Sequence, residues 1–196
     1  MNVLRDRIAR RAAALLAGGV EPDIHHAIKQ AAFTLGFSRG APIPTESEVR
    51  KHLQGMAQES LGDVGYREGV QGILALAAEL MDLLERGFSG TTLLAGRGAR
   101  GHFDGGAEIH IRLYARAELS EIAQLLVDVG CEEPSFETIE TTHGRANRIR
   151  TSMDGVTIVV VRCLPEWWSD HEHDLVTARP TATRTLKALR HDDPAV

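Results

Sequence analysis

The stretch Gly96–Ile111, GRGARGHFDGGAEIHI, decides how this chain is read. An apolar run, Thr91 to Ala95, leads into it, and an alternating segment, Ala107 to Leu113, leads out of it. The pattern predicts strand, tight glycine-rich loop, strand. Side chains alternate along a strand. Glu108, His110 and Arg112 therefore share one face of the second strand, and Ala107, Ile109, Ile111 and Leu113 share the other. Glycines let a backbone approach a phosphate closely, and the second strand brings polar groups to the same place. Gly96-x-Gly98-x-x-Gly101 also has the spacing of a dinucleotide fingerprint. That fingerprint needs a helix N-terminus at the pyrophosphate, and here a strand follows, so the mechanism does not apply.

The rest of the chain sets the frame. Its 196 residues suffice for one medium domain or a small domain with an appendage. With 43% hydrophobic and 25% charged residues the composition is that of a globular protein. Lys and Arg number 22 against 27 Asp and Glu, a net charge of -5, which argues against nucleic acid as a non-specific partner. Cys131 and Cys163 stand alone in apolar contexts without metal-type spacing, the pattern of reduced core residues in a cytoplasmic protein. No apolar run approaches the ~20 residues of a membrane span, so no membrane partner is expected. The basic, amphipathic N-terminus, MNVLRDRIARRAAALLAGG, reads as a first helix in preference to a transit peptide, since Asp6 interrupts the charge and the helical period is continuous.

Upstream of the stretch the signals are helical. Val3, Leu4, Ile8, Ala12, Leu15 and Leu16 recur at helical spacing until Gly18-Gly19. Glu21-Pro22-Asp23 starts a second helix with Ile24, Ile28, Ala31, Ala32 and Leu35 as its stripe. Thr45-Glu46-Ser47-Glu48 is a capping box for a third. After Gly62 a long helix is predicted over about 64–86. Downstream, a helix is predicted from Glu118 to Val129 and a strand over 135–141. A hairpin then follows, with arms Arg145 to Thr151 and Val156 to Cys163 around the turn Asp154-Gly155. VTIVVVRC is apolar on both faces and reads as a central strand. Residues 164–180 read as a polar loop and 181–189 as a short helix. The expectation is an α+β fold: a mixed sheet with helices on one face (residues 89–196), preceded by an N-terminal helical region (residues 1–88).

The central stretch resembles the signature of the polymerase-beta-like nucleotidyltransferase superfamily. In its small prokaryotic members a strand ends in Gly-Ser, a turn of the form Ala-Arg-Gly follows, and the next strand carries Ser-Asp-x-Asp. Gly96 matches the first glycine, Ala99-Arg100-Gly101 match the turn, and Ala107-Glu108-Ile109-His110 take the place of Ser-Asp-x-Asp without a gap. The resemblance implies a two-metal site that moves a nucleoside monophosphate from a triphosphate to a hydroxyl, with Mg²⁺ or Mn²⁺ as cofactor. It implies Glu108, His110 and Asp104 as the catalytic positions and Glu108 and His110 as the metal ligands. Gly96, Arg97, Gly98, Arg100 and Gly101 are implied as the phosphate- or nucleotide-binding set.

The chain departs from that signature at the chemistry. Arg97 replaces the serine, Glu108 replaces the first aspartate, and His110 replaces the second, although Mg²⁺ prefers oxygen ligands. Arg112 adds a fixed positive charge on the same face. The place for a third acid is the strand 156–163, and Thr157, Ile158, Val159, Val160 and Val161 supply none. Two readings follow. In the favoured one the fold persists with a non-catalytic site that binds nucleotide or phosphate, or serves as an interaction module. In the alternative, Glu108, His110 and Asp104 hold a metal and support an active nucleotidyltransferase.

Other motifs carry blander expectations. His171-x-His173, between Asp170 and Asp174, has zinc- or nickel-type spacing, but no distant partner completes the set in sequence, and a solvated loop is expected. Trp167-Trp168 is expected to pack one ring on the sheet edge. His143-Gly144-Arg145 reads as a turn, and His25-His26 as surface residues. The N-terminal helices are a possible docking face for a protein partner if the apolar stripe of the first is left exposed. Arg5, Arg7, Arg10 and Arg11 read as its solvated side.

Overall fold

The computed structural model describes residues 3–21, 23–37, 40–103 and 108–191. Backbone contacts divide the chain into two compact units. One runs to Glu68 and includes Phe103; the other begins at Gly69 and holds the sheet. The helical segment that contains the junction, Glu46–Phe88 (α3), is interrupted at Gly62, whose φ of 68° and ψ of 173° are not helical. The sequence predicts its break there, because glycine alone enters that region without steric cost.

The first unit is built from α1 (Val3–Ala17), α2 (Ile24–Thr34) and the first part of α3. Asp23 caps α2 by accepting from the His26 amide at 2.8 Å. The capping box at α3 closes as expected. Glu48 accepts from the Thr45 amide at 2.7 Å, the Glu48 amide donates to the Thr45 hydroxyl at 3.3 Å, and the Arg5 Nε holds the same carboxylate at 2.8 Å. Of the apolar stripe of α1, Ile8, Ala12 and Leu15 are buried with Ala27, Ile28, Ala31, Val49 and Leu53 in this unit's own core, Leu4 and Leu16 are partly buried against it, and Val3 is exposed.

The second unit is α+β. Its six described strands are β1 (Thr91–Ala95), β2 (Glu108–Tyr114), β3 (Ser135–Thr141), β4 (Gly144–Met153), β5 (Val156–Cys163) and β6 (Thr183–Thr185), in the order β3-β4-β5-β2-β1-β6. β2 and β5 run parallel at the centre, and every other pairing is antiparallel, so the sheet is mixed. A parallel pair needs a crossover, supplied by α4 (Leu119–Asp128) together with β3 and β4. The β4–β5 turn uses positive φ at Asp154 (51°) and Gly155 (77°), the geometry that matches strand twist. One face of the sheet, through Leu94, Ile109, Ile111, Leu113, Ile149, Ile158 and Val160, packs on Ala77, Leu80, Met81 and Leu84 of α3 and on Ile122 and Leu126 of α4. Leu186 and Leu189 of α5 (Leu186–His191) complete that layer.

One segment differs from the sequence expectation. Residues 183–185 are not helical but pair antiparallel with β1 as an edge strand, and the helix starts only at Leu186, where the Thr185 hydroxyl accepts from the Ala188 amide. The β-branched threonines favour the strand, and pairing with β1 overrides the weak helical period. Residues 164–180 are the largely exposed polar segment that the sequence predicts, and a few side chains attach it to the sheet. Trp167, Trp168 and Leu175 pack on Leu93, Tyr114, Ala146, Val159, Val161 and Cys163, and so form a second core on the opposite face of the sheet.

Both cysteines are buried in the second unit. Burial pushes the Cys163 thiol up to about 12 and raises that of Cys131. The thiolate is the nucleophile, and these groups stay protonated and covered near neutrality. Iodoacetamide at pH 8 is therefore expected to leave both unmodified in the native protein and to label both in denaturant, as read by intact mass. Rapid native labelling of Cys163 would contradict the assigned packing of β5.

Candidate functional site

The turn after β1 is assembled around two glycines. Gly96 (φ 74°) and Gly101 (φ 68°) occupy left-handed backbone conformations that side chains resist. Between them Gly98–Arg100 forms one 3₁₀ turn, with Gly98 and Ala99 buried. The Gly96 amide donates to the Ala182 carbonyl at 2.8 Å, Arg100 to Arg97 at 3.0 Å, Gly101 to Gly98 at 2.9 Å, and His102 to Arg97 at 3.2 Å. These four amides are committed to the turn itself. The positive charge that the turn offers an anion resides in the side chains of Arg97 and Arg100, of which Arg100 is exposed. Asp104 lies outside the described residues.

β2 starts at the same end of the sheet, because its antiparallel register sets Ala95 against His110. Glu108 and His110 share a face, as the alternation predicts. The Glu108 carboxylate lies 3.2 Å from the His110 Nε2 and 3.3 Å from the Arg150 Nη1. On β5 the positions opposite Glu108 and His110 are Thr157 and Val159, and Arg150 of β4 lies opposite Val159. The strand that would carry a third acid thus carries none, and an arginine reaches across it. Glu137 shares this face but lies three strands away on β3, about 14 Å at the usual strand spacing. It accepts from the Arg148 Nε at 2.6 Å. Glu140 is on the other face, paired with Arg145 at 2.8 Å. Among the described residues no three His, Cys, Asp or Glu side chains gather as a metal-holding group.

Arg112, next along the face, has a structural occupation that the sequence did not reveal. It is buried, 5% exposed, and its Nη1 donates to the backbone carbonyls of His171 (3.1 Å) and His173 (2.8 Å). It fastens residues 164–180 to the sheet, and aromatic contacts extend that attachment. Trp168 meets Tyr114 edge-on at 5.0 Å and lies flat on His171 at 4.7 Å, while Trp167 stacks on His143 at 5.1 Å. Burial raises the pKa of Asp174. Hydrogen bonds from the Thr177 amide and hydroxyl and from the Val176 amide, with the charge of Arg112, outweigh it and hold the carboxyl below the usual aspartate range.

Replacing Arg112 by Met leaves two carbonyls without their charged donor. The cost is expected to be about 3–6 kcal/mol, at roughly 1.5–3 kcal/mol for each hydrogen bond to a charged group. Hydrogen exchange should accelerate selectively over residues 165–180 in Arg112→Met; uniform acceleration across the sheet would place the role of Arg112 elsewhere.

No family model and no curated protein matches the chain. A solved structure of the GLD-2/RNP-8 complex is similar to 58% of this chain and to 38% of that chain, at 16% identity and a TM-score of 0.32. A likeness that distant decides nothing about this site.

Proposed function

We propose that the second unit is a nucleotidyltransferase-like domain whose altered site binds the phosphate groups of a nucleotide without transferring them. The observation that carries this reading is the setting of Glu108. A carboxylate of a two-metal site needs a second acid beside it and a third on the neighbouring strand. Glu108 instead has His110 at 3.2 Å and Arg150 at 3.3 Å, with Thr157 and Val159 across from it on β5. Arg97 and Arg100 belong to the turn at the same end of the sheet. Arginine is the side chain suited to forked contacts with phosphate oxygens. In this reading Glu108 orients Arg150 and yields it to the ligand.

The sign of one substitution separates binding from catalysis. If Glu108 were a metal ligand, Glu108→Gln would abolish metal-dependent nucleotide binding and transfer. If it only competes with phosphate for Arg150, removing its charge tightens binding. The gain is roughly fivefold, since a unit charge about 4 Å away in a water-like dielectric is worth about 1 kcal/mol. We expect calorimetry with ATP in EDTA to register binding, strengthened in Glu108→Gln and weakened about tenfold or more in Arg150→Ala, with no transfer of labelled nucleotide to any acceptor when Mg²⁺ or Mn²⁺ is supplied. Metal-dependent transfer that Glu108→Gln abolishes would overturn the proposal in favour of an active transferase. Absence of ATP binding would remove the nucleotide from it altogether.

A further inference from the structure

The sheet face that carries Glu108 and His110 continues into an apolar floor. Val159 lies between His110 and Arg150 in one cross-strand row, and Val161 lies beside Arg112 in the next. Leu93, Tyr114 and Cys163 extend this surface, and none of the five is more than 8% exposed. The floor thus begins between the polar side chains of the Glu108 end, where Val159 is 1% exposed. From His110 to Tyr114 it runs about 13 Å, four residues at the usual strand rise. Residues 164–180 cover it, and their own hold is slight. Among the described residues 164–180, Leu175 is the only buried one; Trp167, Trp168, His171 and Asp174 are half-buried, and the rest are exposed. The remaining fastenings are polar. The Thr142 amide donates to the Leu175 carbonyl at 2.8 Å, His143 pairs with Asp170 at 3.3 Å, Arg116 pairs with Glu166, and Arg112 reaches the carbonyls of His171 and His173. Segments with few buried apolar contacts and exposed hydrogen bonds open at the lowest free energy.

We infer, on the reading that the Glu108 end takes the phosphates of a nucleotide, that residues 164–180 are a displaceable strap lying where the nucleoside binds. Phosphates held at Arg150 leave the rest of the ligand to lie along the face. The floor that starts at Val159 is the apolar surface continuous with that end. Apolar and aromatic side chains with a few placed polar groups are what a base and ribose require. Tyr114 supplies the ring, and Trp168 of the strap now meets it edge-on at 5.0 Å, a contact that a base replaces when the strap lifts. Lifting also frees the Arg112 guanidinium from the two strap carbonyls at 3.1 and 2.8 Å for phosphate or ribose oxygens. The strap is therefore autoinhibitory. With it down, the Glu108 end receives a phosphate chain, but a whole nucleotide is excluded. Only molecules with the strap lifted bind the nucleoside, and the apparent affinity scales with their fraction.

Both tryptophans of the chain, Trp167 and Trp168, lie on the strap, so intrinsic fluorescence of the full chain reports its position. With ATP in EDTA, emission is expected to shift to the red and hydrogen exchange over residues 165–180 to accelerate, because the ligand displaces the cover. Inorganic tripolyphosphate has no nucleoside and is expected to bind with neither change. Leu175→Ala removes the buried anchor and should raise ATP affinity about fivefold or more by enlarging the lifted fraction. Its affinity for tripolyphosphate should stay that of the wild type. The wild-type fluorescence and exchange measurements need no variant and decide the matter if Leu175→Ala does not fold. Binding of ATP with the strap unmoved, or with slower exchange over 165–180, overturns the inference and leaves the phosphate site standing. Equal gains for ATP and tripolyphosphate in Leu175→Ala overturn it too, since the strap would then cover the phosphate end and not the nucleoside. Failure of both ligands to bind either protein removes the phosphate site itself, and the role of the strap with it.

Discussion

The parallel pairing of β2 with β5 is the constraint on which the second unit rests. It places two apolar strands side by side at the centre of the sheet, each buried on at least one face along most of its length. Parallel neighbours cannot be joined by a tight turn, so the chain must leave the sheet and return. α4 makes part of that crossover, and the β3–β4–β5 meander extends the sheet outward from the return strand. Ile111, Leu113, Ile158 and Val160 then meet α3 and α4 on one side. On the other side the same register lines up Glu108 with Thr157, His110 with Val159 and Arg112 with Val161. The chemistry available on the open face is fixed by that alignment.

Along β2 the polar face divides into two regions by what lies over it. At its start Glu108 and His110 remain accessible, with Arg150 reaching over from β4. Further along, Arg112 and Tyr114 are buried beneath residues 164–180. A guanidinium suits this position because it satisfies two backbone carbonyls at once while its stem crosses apolar ground. The cover in turn brings His143 and Asp170 together, residues far apart in sequence. One arginine therefore does two things: it separates the open end of the face from the covered end, and it holds the backbone of residues 171 and 173 in place.

Local patterns made much of this legible. The glycine break at 62, the capping box at Thr45, the Asp154-Gly155 turn and the doubly apolar strand 156–163 each rest on short-range sterics or hydrogen bonding, and each stands where the sequence places it. The alternation that puts Glu108, His110 and Arg112 on one face is equally local. What the sequence did not show is what depends on a partner. Residues 183–185 become a strand because β1 offers an unpaired edge. Residues 164–180 are polar in composition, and only the distant surface formed by Tyr114, Val159 and Cys163 gives Trp167 and Trp168 somewhere to pack.

By itself the sequence determined the α+β class, the helical start, the strand–turn–strand around Gly96 to Ile111 and the presence of His110, not a second carboxylate, beside Glu108 on its second strand. These follow from periodicity, glycine sterics and residue identity. Only the tertiary structure decided that Arg150 stands over Glu108, that Glu137 is three strands away and tied to Arg148, that Arg112 is spent on the backbone of residues 171 and 173, and that His143 faces Asp170. Cross-strand register and the docking of a long loop are sums of many non-local contacts, and no short window of sequence contains them.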